Sequence, residues 1–235
     1  MSFYEIIKNY YQQFEYEPEV VGQLPKNIKY FIISGMGGSH LAGDILKNFF
    51  NNIFVHKNYG LPNLPKEILE NSIFVALSHS GNTEETINSF ESARRRNLKI
   101  IALATNGKLL ELAKKYKIPY IELPGKEIQP RLALGYHTMA LSKIISPNLY
   151  QKLKNLSHAL NIEKLEKLAK KFLPKLKNKI PLIYSSERNE FLAYNFKIKF
   201  NETTKIPAFY NVFPELCHNE VEGLNDKNFI FIFIF

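Results

Sequence analysis

Three hydroxyl groups and a glycine stand close together in residues 78–83. Ser78, Ser80 and Thr83 supply the hydroxyls, and Gly81 lets a backbone segment come close to a ligand. A helix is predicted to begin directly after them, and the free N–H groups and dipole of a helix start favour a phosphate group. The alternative is an ordinary helix cap, because Ser or Thr followed by Glu is a common start signal. Three hydroxyls in so short a loop, directly after an apolar strand, favour the phosphate interpretation.

A second glycine-rich segment occupies residues 35–39 and also follows a predicted strand. Its sequence is Gly35-Met36-Gly37-Gly38-Ser39. The first two glycines fit a dinucleotide-binding fingerprint, but His40 stands where the third glycine is required. The next predicted strand ends in His56-Lys57, so it offers no acidic residue for a ribose. A nicotinamide enzyme is therefore disfavoured, and the chain also lacks a Walker A motif.

The composition is that of an ordinary globular protein with a basic surplus. Hydrophobic residues make up 45% of the 235 residues, and charged residues make up 23%. The net charge of +9 suits an anionic ligand, although much of the surplus lies in residues 164–179, which we interpret as a solvated helix face. Because no aromatic–basic stripe or nucleic-acid motif accompanies the charge, we expect no nucleic-acid partner.

Cysteine content and apolar segments narrow the class further. Cys217 is the single cysteine, which excludes an intrachain disulfide and any multi-cysteine metal site. A lone cysteine also fits a reducing cytoplasm. The first residues lack a signal-peptide pattern, and no apolar run reaches the ~18 residues that a membrane span needs. We therefore expect a soluble, cytoplasmic protein without a membrane partner.

Strands and helices alternate along the first part of the chain. Strands are predicted at 29–34, 53–57, 72–77, 99–103 and 119–122. Helices are predicted at 2–14, from the 35–39 loop to about 50, and at 84–96, 108–116 and 131–145. The alternation indicates an α/β fold with a doubly wound parallel sheet of flavodoxin-like order 2-1-3-4-5. In that order strands 1 and 3 are neighbours, so the 35–39 and 78–83 loops are expected to flank the ligand crevice.

The rest of the chain is predicted to form a shorter second α/β subdomain. Strands are predicted at 180–185, 206–210 and 229–235, with a helix at 187–199. The chain is expected to have four parts. These are an N-terminal helix and lead-in (1–28), a complete phosphate-binding subdomain (29–147), a lysine-rich helical connection (148–179) and a partial second subdomain (180–235).

Four motifs in this order resemble those of the bifunctional phosphoglucose/phosphomannose isomerases, a branch of the sugar isomerase (SIS) superfamily. The resemblance covers residues 29–223, and its later motifs are specific to this branch. The motifs are Gly35-Met36-Gly37-Gly38-Ser39, Ser78-His79-Ser80-Gly81-Asn82-Thr83-Glu84-Glu85, Gln129-Pro130-Arg131-x-x-Leu134-Gly135-Tyr136, and Asn201-Glu202 followed by Phe213-Pro214-Glu215-Leu216-Cys217-His218-Asn219-Glu220. The resemblance implies one full SIS subdomain and a shorter second one.

The resemblance also implies an activity in carbohydrate metabolism, within glycolysis and gluconeogenesis. The family interconverts glucose 6-phosphate or mannose 6-phosphate with fructose 6-phosphate through an enediolate, and it needs no metal or cofactor. By position, Glu202 is similar to the base that moves a proton between C1 and C2, Arg131 to the residue facing the enediolate, and His218 to the ring-opening residue. In similar proteins that histidine comes from the partner subunit, which implies a homodimer.

The phosphate site is carried over in the same way. The residues expected to hold the phosphate are Ser39, Ser78, Ser80 and Thr83. The residues expected to support the two loops are Gly37, Gly38, Gly81 and Asn82.

The chemistry agrees with this assignment but leaves alternatives. Aldose–ketose isomerisation needs a general base beside a carbon acid and a cation beside the forming oxyanion. Without the resemblance, Glu202 is equally well a solvated charge at a helix end. Arg131 is then a first-turn helix residue, and His218 a surface histidine.

Three other histidines lie near the motifs. We rank His40, His79 and His137 below His218 as chemical groups. His40 occupies an early helix position, and the side chain of His79 is one that can point away from its loop.

The end of the chain departs from the family pattern. Family members continue through further strands and a C-terminal helix that brings a lysine to the sugar ring, and no residue here matches that lysine. The expectation is either a truncated form with impaired activity or a chain in which another group substitutes for the lysine. The alternatives from other classes are a non-catalytic sugar-phosphate-binding protein and a structural α/β dimer with an empty site.

Overall fold

The computed structural model describes residues 2–223 and 228–235. The chain divides into two compact units, Met1–Leu160 and Asn161–Phe235, called the first unit and the second unit below. The division thus falls after Leu160, inside the segment that was expected to connect two subdomains. The finer four-part organisation stays a prediction.

A parallel sheet lies at the centre of the first unit. Its strands are β1 (Tyr30–Ser34), β2 (Ile53–His56), β3 (Ser72–Leu77), β4 (Lys99–Ala104) and β5 (Tyr120–Glu122). They pair in the order β2-β1-β3-β4-β5, and every pairing is parallel. The predicted doubly wound order is therefore confirmed, and each of these strands lies within one residue of its predicted bounds.

Helices connect and flank these strands. They are α1 (Phe3–Lys8), α2 (Leu41–Lys47), α3 (Lys66–Glu70), α4 (Glu84–Arg95), α5 (Gly107–Lys115), α6 (Leu134–Ile145), α7 (Pro147–Lys154) and α8 (Leu156–Ala159). Short 3₁₀ turns occupy Tyr10–Glu15, Gly37–Ser39 and Pro130–Leu132. The single N-terminal helix predicted at 2–14 was wrong, because α1 ends at Lys8 and a 3₁₀ turn follows. The five-residue helix α3 was not predicted.

Burial explains why the first sheet is easy to find in the sequence. Every residue of β3 is buried, as is usual for a parallel strand with both faces covered. Phe74 of β3 packs in one cluster with Phe90 of α4 and Leu109 of α5, and none of the three is accessible to solvent. The apolar run that predicted the strand is thus the core of the first unit.

The segment after α6 packs within the first unit. Tyr150 of α7 lies in a buried cluster with Phe14 and Met139, and Leu153 and Leu156 pack against that cluster. These apolar contacts explain why the first unit extends to Leu160. The expected helical connection begins with two short helices, α7 and α8.

The second unit is built on a smaller parallel sheet. Its elements are α9 (Ile162–Leu176), β6 (Ile180–Ser186), α10 (Glu190–Lys199), β7 (Phe209–Phe213) and β8 (Phe229–Ile234), with strand order β7-β6-β8. The strand predicted at 206–210 was placed three residues too early. The Asn201 amide donates to the carbonyl oxygen of Ile206 at 3.0 Å, which holds that residue in the turn before β7.

One face of the second sheet carries a row of aromatic rings. Tyr184 of β6 and Phe213 of β7 contact Phe233 of β8, with ring centroids 6.0 and 6.3 Å apart. Phe233 in turn stacks on Phe235 at 6.0 Å. Half of the Phe233 surface and 86% of the Phe235 surface are exposed, so this face is only partly covered.

No helix among residues 2–223 and 228–235 combines the length and the apolar character needed to cross a bilayer.

Candidate active site

The two glycine-containing loops leave the first sheet side by side. β1 and β3 are directly paired, with Ser34 opposite Ala76. The 35–39 loop follows β1 and the 78–83 loop follows β3, so both lie at the carboxyl edge of the sheet. This is the place where doubly wound sheets bind ligands.

The 78–83 loop concentrates hydroxyl groups at the start of α4. The hydroxyls of Ser78 and Thr83 lie 2.8 Å apart, and the Ser80 hydroxyl accepts from the Asn82 N–H at 3.2 Å. Thr83 occupies the N-cap position of α4, yet in this fully described loop its side chain makes no capping hydrogen bond to the helix. The first N–H groups of α4 therefore remain directed to a ligand or solvent, and the ordinary cap interpretation fails for Thr83.

Gly81 and Asn82 fix the loop against the next helix. Gly81 has a φ of +71°, and a Cβ added there would lie 1.7 Å from the carbonyl oxygen of Asn106. The Gly81 carbonyl accepts from the Leu109 N–H at 2.9 Å, and the Asn82 side-chain oxygen accepts from the Lys108 N–H at 3.0 Å. No side chain other than hydrogen fits at Gly81, so the loop and the start of α5 form one rigid piece.

The 35–39 loop joins the 78–83 loop to Arg131. The buried Ser39 hydroxyl accepts from the His79 N–H at 3.1 Å. A Cβ added to Gly38 would lie 2.5 Å from the Arg131 backbone nitrogen, so the two backbones touch. Arg131 itself lies in the 3₁₀ turn before α6 and is buried. The first unit thus gathers the predicted phosphate residues and the predicted enediolate-facing residue around one edge of the sheet.

A buried histidine pair lies behind this edge. His79 Nδ1 and His137 Nε2 are 3.0 Å apart, and His79 Nε2 donates to the Gly125 carbonyl oxygen at 3.0 Å. Burial lowers the pKa of His79, and burial together with the neighbouring His79 lowers the pKa of His137 to about 3. The side chain of His79 therefore contacts the protein interior. No spacing rule joins residues 58 positions apart, so sequence reasoning missed the pair.

Glu202 lies in the second unit, at an irregular point of the chain. It occupies a π-helical turn, Phe200–Thr204, that continues α10, and it is half-buried. The turn ends at Lys205, whose φ is +58°. π-turns of this kind are frequent at functional sites, because they re-aim a side chain at the end of a regular helix.

His218 also belongs to the second unit and is exposed, at the end of the 3₁₀ turn Glu215–His218. The neighbouring carboxylates Glu215 and Glu220 have hydrogen-bond partners other than this histidine, and Glu215 accepts from the Asn219 amide at 3.1 Å. Glu220 accepts from the Tyr184 hydroxyl and from the Asn211 amide, both at 2.7 Å. The network anchors the segment that follows His218 to β6 and β7.

Metal ligands are not clustered in the parts of the chain that the structure describes. There, no group of three or more His, Cys, Asp or Glu side chains is arranged to hold a metal ion. Among the predicted site residues, the first unit offers hydroxyls and one guanidinium, and the second unit offers one carboxylate and one imidazole.

Comparison with known proteins points to one family. A family model described as "Bacterial phospho-glucose isomerase C-terminal SIS domain" matches residues 165–235. The bifunctional phosphoglucose/phosphomannose isomerase of Aquifex aeolicus is 32% identical over 99% of this chain and 74% of the relative. A D-glucosamine-6-phosphate 4-epimerase of Sulfolobus acidocaldarius is 29% identical over 92% of this chain and 72% of the relative.

A solved structure shows the same fold. The C-terminal domain of glucosamine-fructose-6-phosphate aminotransferase from Francisella tularensis superposes with a TM-score of 0.69 at 17% identity. The match covers 98% of this chain and 73% of that domain. The predicted SIS-type α/β fold is therefore confirmed.

Proposed function

Since the chain belongs to the family of bifunctional phosphoglucose/phosphomannose isomerases, we propose that it interconverts glucose 6-phosphate and mannose 6-phosphate with fructose 6-phosphate. The observation that carries the proposal is the hydroxyl cluster at the start of α4, beside Ser39 and Arg131. It offers a phosphate group a dipole, free N–H groups and several hydroxyl donors in one place. The type of reaction is inferred from the 32% sequence identity to isomerases, which extends along nearly the whole chain.

The phosphate-binding residues act by orienting the sugar. Charge-assisted hydrogen bonds from Ser78, Ser80 and Thr83 hold the phosphate, and Ser39 supports them from the neighbouring loop. Gly37, Gly38, Gly81 and Asn82 set the loop shapes. A phosphate fixed in this way places C1 and C2 of the open-chain sugar at a constant distance from the edge of the sheet, which is the main benefit of tight orientation.

The remaining residues move protons. The Glu202 carboxylate removes the proton from C2 of the aldose phosphate and returns it to C1, and the Arg131 guanidinium stabilises the enediolate formed in between. His218 opens the sugar ring by transferring a proton to the ring oxygen. The reaction involves no net oxidation or reduction, so it consumes no redox cofactor, and the resemblance in residues 29–223 implies that no metal is needed.

We propose further that the protein is a homodimer in which His218 of one subunit serves the site of the other. The exposed position of His218 in the second unit supports this proposal. We place the activity in the cytoplasm, within glycolysis and gluconeogenesis. These points follow from the resemblance in residues 29–223.

A coupled assay tests the function directly. The 235-residue chain is incubated with each aldose phosphate, fructose 6-phosphate formation is followed, and solvent tritium exchange at C2 is measured in parallel. Turnover and exchange with either aldose are expected. If the chain binds the sugar phosphates but catalyses neither process, it is a non-catalytic binder. If glucosamine 6-phosphate is epimerised at C4 instead, the proposed reaction is wrong.

A further inference from the structure

The buried pair of His79 and His137 has no part in the proposed proton transfers. The two rings meet edge to face, with centroids 5.1 Å apart, and both side chains are buried. Two imidazoles in an apolar interior are costly unless their hydrogen bonds are made. His79 belongs to the 78–83 loop and His137 belongs to α6, so their buried contact calls for a physical role.

The partners of His79 determine where the protons lie. The Gly125 carbonyl only accepts, so His79 Nε2 carries a hydrogen. In the neutral ring Nδ1 is then an acceptor, and His137 Nε2 must donate to it. The remaining nitrogen of His137, Nδ1, has no hydrogen-bond partner among the described residues, although the Gly38 backbone lies near enough to raise the pKa of the ring weakly.

The backbone of His79 is held as firmly as its side chain. Its N–H donates to the Ser39 hydroxyl at 3.1 Å, and its carbonyl accepts from both the N–H and the hydroxyl of Thr105, at 2.9 and 2.8 Å. His137 lies on α6, directly after the turn that contains Arg131. The pair therefore connects the 35–39 loop, the 78–83 loop and the helix behind Arg131.

We propose that His79 and His137 are positioning residues that hold the 78–83 loop in its phosphate-binding conformation, and that they do so only as a neutral pair. The inference rests on the proposed phosphate role of that loop. A proton added to His79 Nδ1 faces the N–H of His137, and the hydrogen bond between the rings is lost unless His137 changes tautomer. That change places the hydrogen on the buried Nδ1, which lacks a partner among the described residues.

The charged surroundings agree with a neutral pair. Glu127 acts on His79 and raises its pKa, but the lowering by burial is larger. His79 is the titratable group that acts on His137, and it lowers the pKa further. Acid that protonates this pair is therefore expected to weaken phosphosugar binding.

The test compares His137→Gln with His137→Leu. Glutamine keeps a donor close to the position of Nε2 and cannot take up a proton, whereas leucine leaves His79 Nδ1 without its donor. We expect His137→Leu to raise KM for fructose 6-phosphate about tenfold at neutral pH with kcat nearly unchanged. His137→Gln is expected to keep the parental KM and to lose the acid-induced increase in KM that the parent shows once the pair is protonated. The exposed His158→Gln serves as the matched control.

A milder variant and a binding measurement distinguish a positioning role of the pair from a folding defect and from an effect on turnover. His79→Asn retains an acceptor for His137 but loses the bond to Gly125, so it provides an intermediate variant if His137→Leu does not fold. Binding of inorganic phosphate is measured by calorimetry on every variant, independently of turnover. A parent that binds phosphate without turnover refutes the isomerase and leaves this inference standing. A parent and a His137→Leu variant with equal phosphate affinity and equal pH profiles would overturn it, as would a parent that binds no phosphate.

Discussion

The two units hold their candidate residues in opposite ways. In the first unit, Ser39, Ser78 and Arg131 are buried, and their loops are fixed by backbone contacts such as that of Gly81 with Asn106. In the second unit, Glu202 is half-buried in a π-turn and His218 is exposed. The difference fits the proposed roles, in which Ser39 and Ser78 bind the phosphate from fixed loops, whereas Glu202 and His218 transfer protons from turns at the ends of regular elements.

The largest effect is expected when the proposed base is removed, which tests whether the two units have different roles. Glu202→Gln keeps the shape of the side chain but cannot accept a proton, so kcat is expected to fall about 10²–10⁴-fold. Affinity for fructose 6-phosphate is expected to stay within a few-fold, because the first unit is untouched. Glu222→Gln, an exposed carboxylate of the same unit, is the control. A Glu202→Gln variant with the parental kcat would place the base elsewhere.

The rigidity of the first unit is tested at Gly81. Gly81→Ala adds a Cβ 1.7 Å from a carbonyl oxygen at a positive φ, so both the loop and α5 must move. We expect a loss of unfolding free energy above about 2 kcal/mol and a marked loss of phosphosugar binding. Gly60→Ala has a φ of +69° and open space around its Cβ, so it isolates the cost of the backbone conformation. That cost is about 1 kcal/mol, and equal Tm losses for both variants would contradict the clash.

Acid should affect the first unit through its histidine pair. The folded pKa of His137, about 3, lies below the value of about 6.5 that an unfolded chain shows. The unfolded state therefore takes up the proton first, so the stabilisation is complete above pH ~6.5 and is lost progressively as the pH falls toward ~3, by about 1.4 kcal/mol per pH unit. Urea unfolding at several pH values checks this, and His137→Gln is expected to show a shallower slope. Equal slopes would show that the pair does not titrate on unfolding.

The smallest expected effect concerns the second unit. Tyr184→Phe removes the hydroxyl that donates to Glu220, and it is expected to cost about 1 kcal/mol of unfolding free energy. Burial and Glu220 both raise the pKa of this tyrosine, so its hydroxyl stays protonated over the working range. Tyr210→Phe, whose exposed hydroxyl lies 3.4 Å from Glu190, is the control and is expected to cost less. If the order of the two losses is reversed, the Glu220 network does not anchor this segment.

The sequence predicted the first sheet well because its information is local. Each strand is a short apolar run ending in glycine or a polar turn, and alternation with helices determines the order by the rule of right-handed crossovers. The 78–83 loop was found for the same reason, since its hydroxyls are contiguous in the chain. The proton-transfer roles of Glu202 and His218 came from family motifs and stay predictions.

Long-range contacts explain what the sequence did not predict. The start of β7 was predicted too early because Ile206 is apolar and β-branched, which favours a strand. In the structure the Asn201 amide donates to the Ile206 carbonyl, and this bond holds Ile206 in a turn before the strand. The break of the N-terminal helix after Lys8 comes with packing against α6, where the Gln13 side-chain oxygen accepts from the Gly135 N–H at 3.0 Å. The partnership of His79 and His137 exists only once β3 and α6 have packed together.

The contact between Gly81 and the Asn106 carbonyl also has an evolutionary consequence. The loop accepts no side chain at Gly81 and cannot move unless the neighbouring helix moves with it. We therefore expect single substitutions in this loop to be selected against, so that new substrate preferences arise at other positions. The second unit, with its π-turn and exposed histidine, is where we expect single substitutions to be tolerated better. The 29% identity to a 4-epimerase indicates that related chains have diverged in chemistry. Laboratory evolution toward other phosphosugars is therefore expected to select mutations mainly in Asn161–Phe235.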